Sequence, residues 1–314
     1  MVPVIVIVVA IGLAGALLVL TGRSSPTLAA PPNVTAVAVG DIACAADQEG
    51  TSEERSREDH CRQADIGSLV GSQSPEAFLP LGDNQYPNGT LDRYKASYDK
   101  VLGRFLPITH PVPGNHDAGT GYYAYFGKAA GPNGQGYYSY QLGAWHVIAL
   151  NSECSRIGGC GQGSPEEVWL KADLAAHQDK CTLAYWHKPR WSSGRHGSNP
   201  AMGALWSDLV DAQAELVLNG HDHDFEGFAP LDGNGNLDPE GVREFVVGTG
   251  GDSHYTFAKS GVAVPGSQVR IENAYGVLRL TLKADGYDWR FVPVPGAKIS
   301  PEQLQKARGS DTCH

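Results

Sequence analysis

Five short clusters hold most of the side chains that could do chemistry in this chain. They are Gly40-Asp41, Gly82-Asp83-Asn84-Gln85-Tyr86, Gly114-Asn115-His116-Asp117, Trp186-His187 and Gly220-His221-Asp222-His223. Carboxylate, amide, phenol and imidazole side chains are the oxygen and nitrogen donors that hold metal ions. Taken singly, each cluster says little. An Asp after a strand commonly caps a turn, and a lone His is commonly a satisfied core residue. Gly-His-x-His says more, because alternate residues of an extended segment place both imidazoles on one side. The joint occurrence of all five, in this order, is what points to a metal site. No G-x-S-x-G motif is present, which argues against a serine or cysteine hydrolase.

Each cluster follows an apolar run that reads as a strand, at 34–39, 78–81, 108–112, 182–186 and 215–218. Ligands in open α/β sheets gather beyond the carboxyl ends of strands. The glycines beside the clusters permit the backbone angles that a crowded site needs. Helical patterns cover 53–72, 91–102, 165–177 and 201–212, and a hairpin is expected over 137–142 and 145–151. Further strands are expected at 243–247, 277–282 and 287–292. Alternating strands and helices predict an α/β domain. Asp232-Gly-Asn234-Gly-Asn236 starts like a calcium loop, but Leu237 and Arg243 stand where Gly and Glu are required, so it reads as a polar turn. Residues 248–254 read as a tight turn at a sheet end, with lining of the cleft as the alternative, and Asp222 as structural.

With these motifs the chain resembles the calcineurin-like metallophosphoesterase superfamily, and within it the purple acid phosphatase branch, over about Val34 to Val292. That branch carries the blocks Asp-x-Gly, Gly-Asp-x-x-Tyr, Gly-Asn-His-Glu/Asp, Val-x-x-His and Gly-His-x-His. Two blocks depart here: Asp41-Ile42-Ala43 lacks the Gly, and Ala184-Tyr185-Trp186-His187 has Ala for Val. Neither change removes a ligand. The resemblance implies a four-layer αββα sandwich of two mixed β-sheets flanked by helices, with a catalytic domain at 34–293. It implies two metal ions. One takes Asp41, Tyr86 and His223, the other takes Asn115, His187 and His221, and Asp83 bridges them. Many relatives place a histidine ligand where this chain has Ala43, so Tyr86 is needed to complete the first set. A phenolate suits Fe(III), and the imidazole-rich second set suits a divalent ion such as Zn, Fe or Mn.

The implied activity is hydrolysis of phosphate monoesters, acid phosphatase-like. Two ions about 3.5–4 Å apart generate hydroxide and clamp the phosphoryl oxygens, and the hydroxide attacks phosphorus in line with the leaving oxygen. His116 is the first candidate to protonate that oxygen, with Asp117 orienting it. His196 is the second candidate, at an offset where the branch has a substrate-reaching histidine. Arg195 is a candidate grip for a phosphate oxygen, and Asn115 is also expected near the substrate. A phosphodiesterase or nucleotide hydrolase on the same site is the nearest alternative. An exported, non-catalytic phosphate- or cell-wall-binding module is the alternative of another class.

Composition frames these readings. The chain has 314 residues, 41% of them hydrophobic, and a formal net charge of −10. A sizeable core is expected, and no basic stripe is visible along the sequence, which argues against a duplex nucleic acid partner. A small phosphate ester is the expected partner. Pro3 to Leu20 holds only apolar residues and glycine, and Arg23 is the first charged side chain. Residues 1–23 therefore read as a signal peptide or an N-terminal membrane anchor, 24–33 as a linker, and 294–314 as a polar tail pinned by Cys313. The protein is expected outside the cell, secreted or tethered through residues 3–20 to the outer face of the membrane. Six cysteines fit export and allow 15 pairings. Cys154 with Cys160, across a short Gly-rich loop, is the favoured pair. Cys44 with Cys61 and Cys181 with Cys313 then follow by elimination.

Overall fold

Val34–Val39 is apolar on both of its faces, and both are used. Ala36 and Ala38 enter one buried cluster, while Val37 and Val39 enter another. A strand buried on both sides must lie in a sheet covered on both faces. The computed structural model, which describes residues 1, 33–46, 60–117, 119–177, 181–257 and 261–314, shows such a sheet. All its elements belong to one unit, Pro31–His314. They run β1 (Val34–Val39), α1 (Gln63–Ser72), β2 (Ala77–Pro80), α2 (Leu91–Ala96), α3 (Tyr98–Leu102), α4 (Thr120–Phe126), β3 (Tyr138–Leu142), β4 (Trp145–Ala149), α5 (Pro165–Ala176) and β5 (Cys181–Tyr185). Then follow α6 (Gly203–Asp211), β6 (Leu216–Asn219), β7 (Phe225–Phe228), β8 (Arg243–Val247), β9 (Ser267–Ile271), β10 (Gly276–Lys283), β11 (Gly286–Pro293), α7 (Pro301–Lys306) and β12 (Arg308–Thr312).

Two mixed sheets result, ordered β12-β11-β10-β1-β2 and β3-β4-β5-β6-β8-β7-β9. Between them lies a core of Leu79, Trp145, Leu183, Leu218, Phe245, Leu280 and Phe291, among others. The other face of the first sheet packs Val37, Val39 and Phe78 against residues of α1, α3 and α4. The other face of the second packs Ile148, Ala184 and Val217 against Leu170 of α5 and Leu205 and Leu209 of α6. This is the expected αββα sandwich. β1 and β2 run parallel, as do β4, β5, β6 and β8, so several strand ends open in one direction.

The structure departs from the expectations in four places. The helix expected over 91–102 breaks at Ser97, whose hydroxyl donates to Cys44 O at 2.6 Å, while Tyr98 N donates to Gln85 Oε1. The strand expected over 108–112 exists only as isolated parallel bridges to β2. His110 N and Val112 N do donate to Phe78 O and Pro80 O, and the ladder breaks because Pro80 has no N–H to give in return. The polar tail expected over 294–314 instead contains α7, with a Ser300–Gln303 capping box, and β12, which pairs along β11. Finally, β7, β9 and α4 had no expected counterpart. The 53–59 part of the first expected helix lies outside the described residues, as do residues 3–20 and the linker up to residue 32.

All six cysteines are paired, as Cys44–Cys61, Cys154–Cys160 and Cys181–Cys313. The last joins β5 of the second sheet to the residue after β12 of the first. Among the described residues no helix is long and apolar enough to cross a membrane.

Candidate metal centre

The loops that follow β1, β2, β5 and β6 are laced together by their backbones. Asp41 N donates to Gly82 O, Gly220 N to His187 O, and Gly40 N to Val247 O. Asp41, Asp83 and His221 take φ of 61°, 46° and 73°, a region that residues other than glycine rarely occupy. Such strain costs on the order of 1–3 kcal/mol per residue and concentrates at functional sites. Two glycines allow the close approach. A Cβ on Gly114 would collide with the backbone and carboxylate of Asp83, and one on Gly82 would fall 2.7 Å from the His187 ring.

The converging atoms form two groups that share Asp83. In the first, Tyr86 Oη lies 2.9 Å from Asp41 Oδ1, 3.1 Å from Asp83 Oδ2 and 3.0 Å from His223 Nε2. His223 Nδ1 faces Ser253 O at 3.1 Å. A carbonyl only accepts, so Nδ1 carries the proton and Nε2 offers a lone pair. The one phenol proton of Tyr86 therefore faces three acceptors. In the second group, His187 Nε2 lies 3.2 Å from Asp83 Oδ2 and 3.2 Å from His221 Nδ1. His187 Nδ1 donates to Leu81 O at 2.9 Å, so its Nε2 is the free donor atom toward a metal. Asn115 Oδ1 is buried and has no hydrogen-bond partner. The donor atoms of Asp83, His187 and His221 lie within 4.8 Å of one another.

Each carboxylate is aimed by a backbone N–H. His221 N donates to Asp41 Oδ2 at 2.8 Å and His116 N to Asp83 Oδ1 at 2.6 Å, which leaves the other oxygen of each facing the shared space. Acceptors outnumber donors here, an arrangement that costs free energy unless a cation is present. The electrostatics of the site agree. Burial works against charge on His187, but Asp83 beside it wins and holds the imidazole up to about 10. Burial raises the Asp83 carboxyl, and His187 and then His116 outweigh it and drive it well below the usual carboxylate range. A proton on His187 thus supplies the positive charge that a metal would bring. Burial and the charge of His187 press His221 down to about 2, so its lone pair is available for a ligand bond. Burial and the two carboxylates push the Tyr86 phenol well above its ordinary value. An ion of high charge would reverse that shift. The donor set fits two metal ions: oxygen-rich around Asp41, Tyr86 and His223, imidazole-rich around Asp83, His187 and His221.

The other expected site residues are placed as follows. His116 sits beside the cluster, its Nδ1 donating to Pro87 O at 2.7 Å and its Nε2 3.9 Å from Asp83 Oδ2. Asp117 does not orient it. That carboxylate is buried and accepts from Asn84 N and Nδ2, Gly114 N and Tyr94 Oη, so it closes the loop and never reaches the His116 ring. His196 stacks on His221, with ring centroids 4.3 Å apart, and Arg195 lies over the Tyr255 ring. Three further residues contribute, of which Tyr255 had no mark in the sequence while Asp252 and Ser253 lie in the 248–254 stretch. Tyr255 stacks on His223 at 4.0 Å, Ser253 fixes that histidine's Nδ1, and Asp252 lies 4.0 Å from it. Residues 248–254 therefore wall the cleft as well as turning the chain. The signal available was Ser253-His254-Tyr255 following a Gly-rich turn, and it is a weak one. Asp222 points away from the donors, as expected, and holds the loop that carries His196.

The family model for calcineurin-like phosphoesterases matches residues 36–225. The chain belongs to that family, and within it is purple acid phosphatase-like. Purple acid phosphatase 21 of Arabidopsis thaliana is 29% identical over 195 residues, which cover 57% of this chain and 42% of that protein. Purple acid phosphatase 22 of the same plant is 27% identical over 214 residues, 59% of this chain and 46% of that one. The chain thus spans just under half the length of these curated relatives. Among solved structures, purple acid phosphatase PPD1 from yellow lupin seeds superposes with a TM-score of 0.68 at 16% identity, covering 89% of this chain and 54% of its own.

Proposed function

We propose that the protein is an exported dinuclear-metal phosphatase acting on small phosphate monoesters. Asp41, Tyr86 and His223 would hold one ion, Asn115, His187 and His221 the other, and Asp83 both. The observation that carries this reading is the convergence of Tyr86 Oη, Asp41, Asp83 and His223 on one point, where three acceptors face one proton. The phenolate favours Fe(III) in the first set, and the second set favours Zn, Fe or Mn. Two such ions, when bound, activate water and neutralise phosphoryl charge.

The chain's own residues supply the rest. Pro87 O fixes the His116 ring through Nδ1, and Nε2 is left free to protonate the leaving oxygen. His196 and Arg195 stand on the substrate side, where a phosphate oxygen would meet their N–H groups. A groove of about 400 Å3 runs from His221 and His196 past Ser152, Lys188 and Asn199. It has room for the alcohol portion of an ester. It would also admit a second ester substituent, which favours the phosphodiesterase reading as the alternative.

Metal analysis and a visible spectrum on protein lacking residues 1–30 test the proposal, with p-nitrophenyl phosphate and bis-p-nitrophenyl phosphate as substrates. About two metals, a violet colour lost in Tyr86→Phe and faster monoester turnover are expected. A colourless enzyme preferring the diester would move the assignment to the phosphodiesterase. Failure to take up metal would leave a binding module.

A further inference from the structure

Three arginines stand in one row across the first sheet. Arg279 of β10 is the register partner of Arg290 of β11, and Arg290 is the partner of Arg308 of β12. Adjacent strands lie about 4.8 Å apart, so the three side chains leave the sheet within about 10 Å of one another. They leave it on the outer face, because their strand neighbours Leu278, Leu280, Phe291 and Ala307 belong to the core between the sheets. Arg290 and Arg308 are exposed and Arg279 is half-buried. The row lines a groove of about 410 Å3 together with Thr281, Asp288 and Gln305.

Among the described residues no carboxylate forms an ion pair with this row. Asp288, which lines the groove, pairs with Lys283, Asp311 pairs with Arg243, and Glu76 accepts from Thr35 N. Among the described residues the three guanidinium groups bond only neutral oxygens. Arg279 donates to the hydroxyls of Thr281 and Thr35, Arg290 to Gln73 Oε1 and Arg308 to Gln305 Oε1. Like charges placed directly opposite on a sheet destabilise it.

We propose that this row is an electrostatic docking face for the anionic lipid headgroups of a membrane. Charge complementarity gives the sign of the partner. The chain's own layout gives its identity. Fourteen residues, 21–34, separate the apolar run that ends at Leu20 from Thr35. Thr35 is the β1 residue whose hydroxyl accepts from Arg279. Fourteen residues reach up to about 50 Å when extended, so an anchor at 3–20 leaves the row free to meet headgroups. One apolar anchor plus one basic patch is the two-signal combination that gives stable attachment. Each arginine near an anionic surface strengthens binding roughly fivefold, and three give roughly a hundredfold.

The test is co-sedimentation of the full chain with phosphatidylcholine vesicles, with and without phosphatidylglycerol. The neutral vesicles report the apolar segment alone, so the ratio of the two affinities reports the row. A ratio well above one is expected, falling steeply with salt and collapsing toward one in R279Q/R290Q/R308Q. R308Q alone, on the edge strand, should lower it roughly fivefold and serves if the triple variant folds poorly. Melting temperature and p-nitrophenyl phosphate turnover confirm that each variant is intact. A ratio near one, or a ratio the substitutions leave unchanged, overturns the proposal. Binding of soluble tripolyphosphate at the row without any vesicle preference overturns it too, in favour of a polyanion site.

Discussion

His116 stands beside the donor cluster without joining it. Its Nδ1 is committed to Pro87 O and its Nε2 is 3.9 Å from the nearest carboxylate oxygen of Asp83. A group so placed can hand over a proton without holding an ion. His116→Ala should therefore keep both metals and lose about 10²–10⁴-fold in kcat on alkyl phosphates, where the leaving oxygen needs protonation. On p-nitrophenyl phosphate, whose leaving group departs without help, the loss should be far smaller. Equal losses on the two substrates would remove His116 from that role. Glu166 gives a prediction of another kind. Burial raises its carboxyl from 4.5 to about 8, against the bond it accepts from Asn151 N, and its Oε2 has no partner. A carboxyl raised on folding holds its proton in the native state while the unfolded chain releases it. Stability attributable to it is present below pH 4.5 and declines as pH climbs toward 8. Glu166→Gln should match wild type in melting temperature near pH 4.5 and exceed it near pH 8.5; a constant difference across that range would refute the assignment. At this scale the sequence was legible where a residue type is rare at a strand end, as with Asp83 and His187. It was not legible for Tyr255, and for Ser253 only as one of two readings of its stretch, because what matters is their contact with His223, and that contact exists only once the fold closes.

Among the elements, the stretch between β5 and α6 shows how a loop without regular structure is made rigid. Three buried carboxylates accept its donors, two from strands of the second sheet and one, Asp222, from the loop after β6. Glu244 takes Arg190 N and Trp191 N, Glu226 takes Ser193 N and Oγ, and Asp222 takes Ser192 Oγ and His196 N. Arg195 and His196 are positioned by this arrangement rather than by a helix or strand. In Asp222→Ala the His196 N–H and the Ser192 hydroxyl both lose their acceptor, at a cost of about 1–3 kcal/mol. Metal content should hold while kcat/KM falls about tenfold, a loss of about 1.4 kcal/mol in transition-state stabilisation. Unchanged kcat/KM in a destabilised variant would mean that neither Arg195 nor His196 serves the reaction. Strands with apolar patterns, such as β1, β5 and β6, were readable in advance. β12 was not: Arg308-Gly-Ser-Asp-Thr312 has no apolar residue and is a strand because β11 offers it a ladder and Cys313 ties its end to Cys181. The arginine row was hidden for the same reason. Its members are 11 and 18 residues apart, and only the register aligns them.

At the scale of the molecule, the fold alone does not decide the chemistry. What distinguishes a working site is the donor set, and here that set has a structural consequence. Asp41 and Asp83 follow strands of the first sheet, while His187, His221 and His223 follow or flank strands of the second. Ions held by both groups would tie the sheets together at their carboxyl ends, as Cys181–Cys313 ties them covalently elsewhere. Ligands that bind only the folded state stabilise it by about 4 kcal/mol when present at a thousandfold their Kd, and for a domain of this size each kcal/mol is worth about 2–4 °C in Tm. Stripping the metals with a chelator should therefore lower Tm by about 10 °C, and adding iron and zinc back should restore it. Cys313→Ser in the loaded protein should lower Tm as well, without releasing metal, because it cuts the other tie. If verified removal of both ions leaves Tm where it was, the ions do not span the sheets, and the assignment of Asp83 as the shared ligand fails with it.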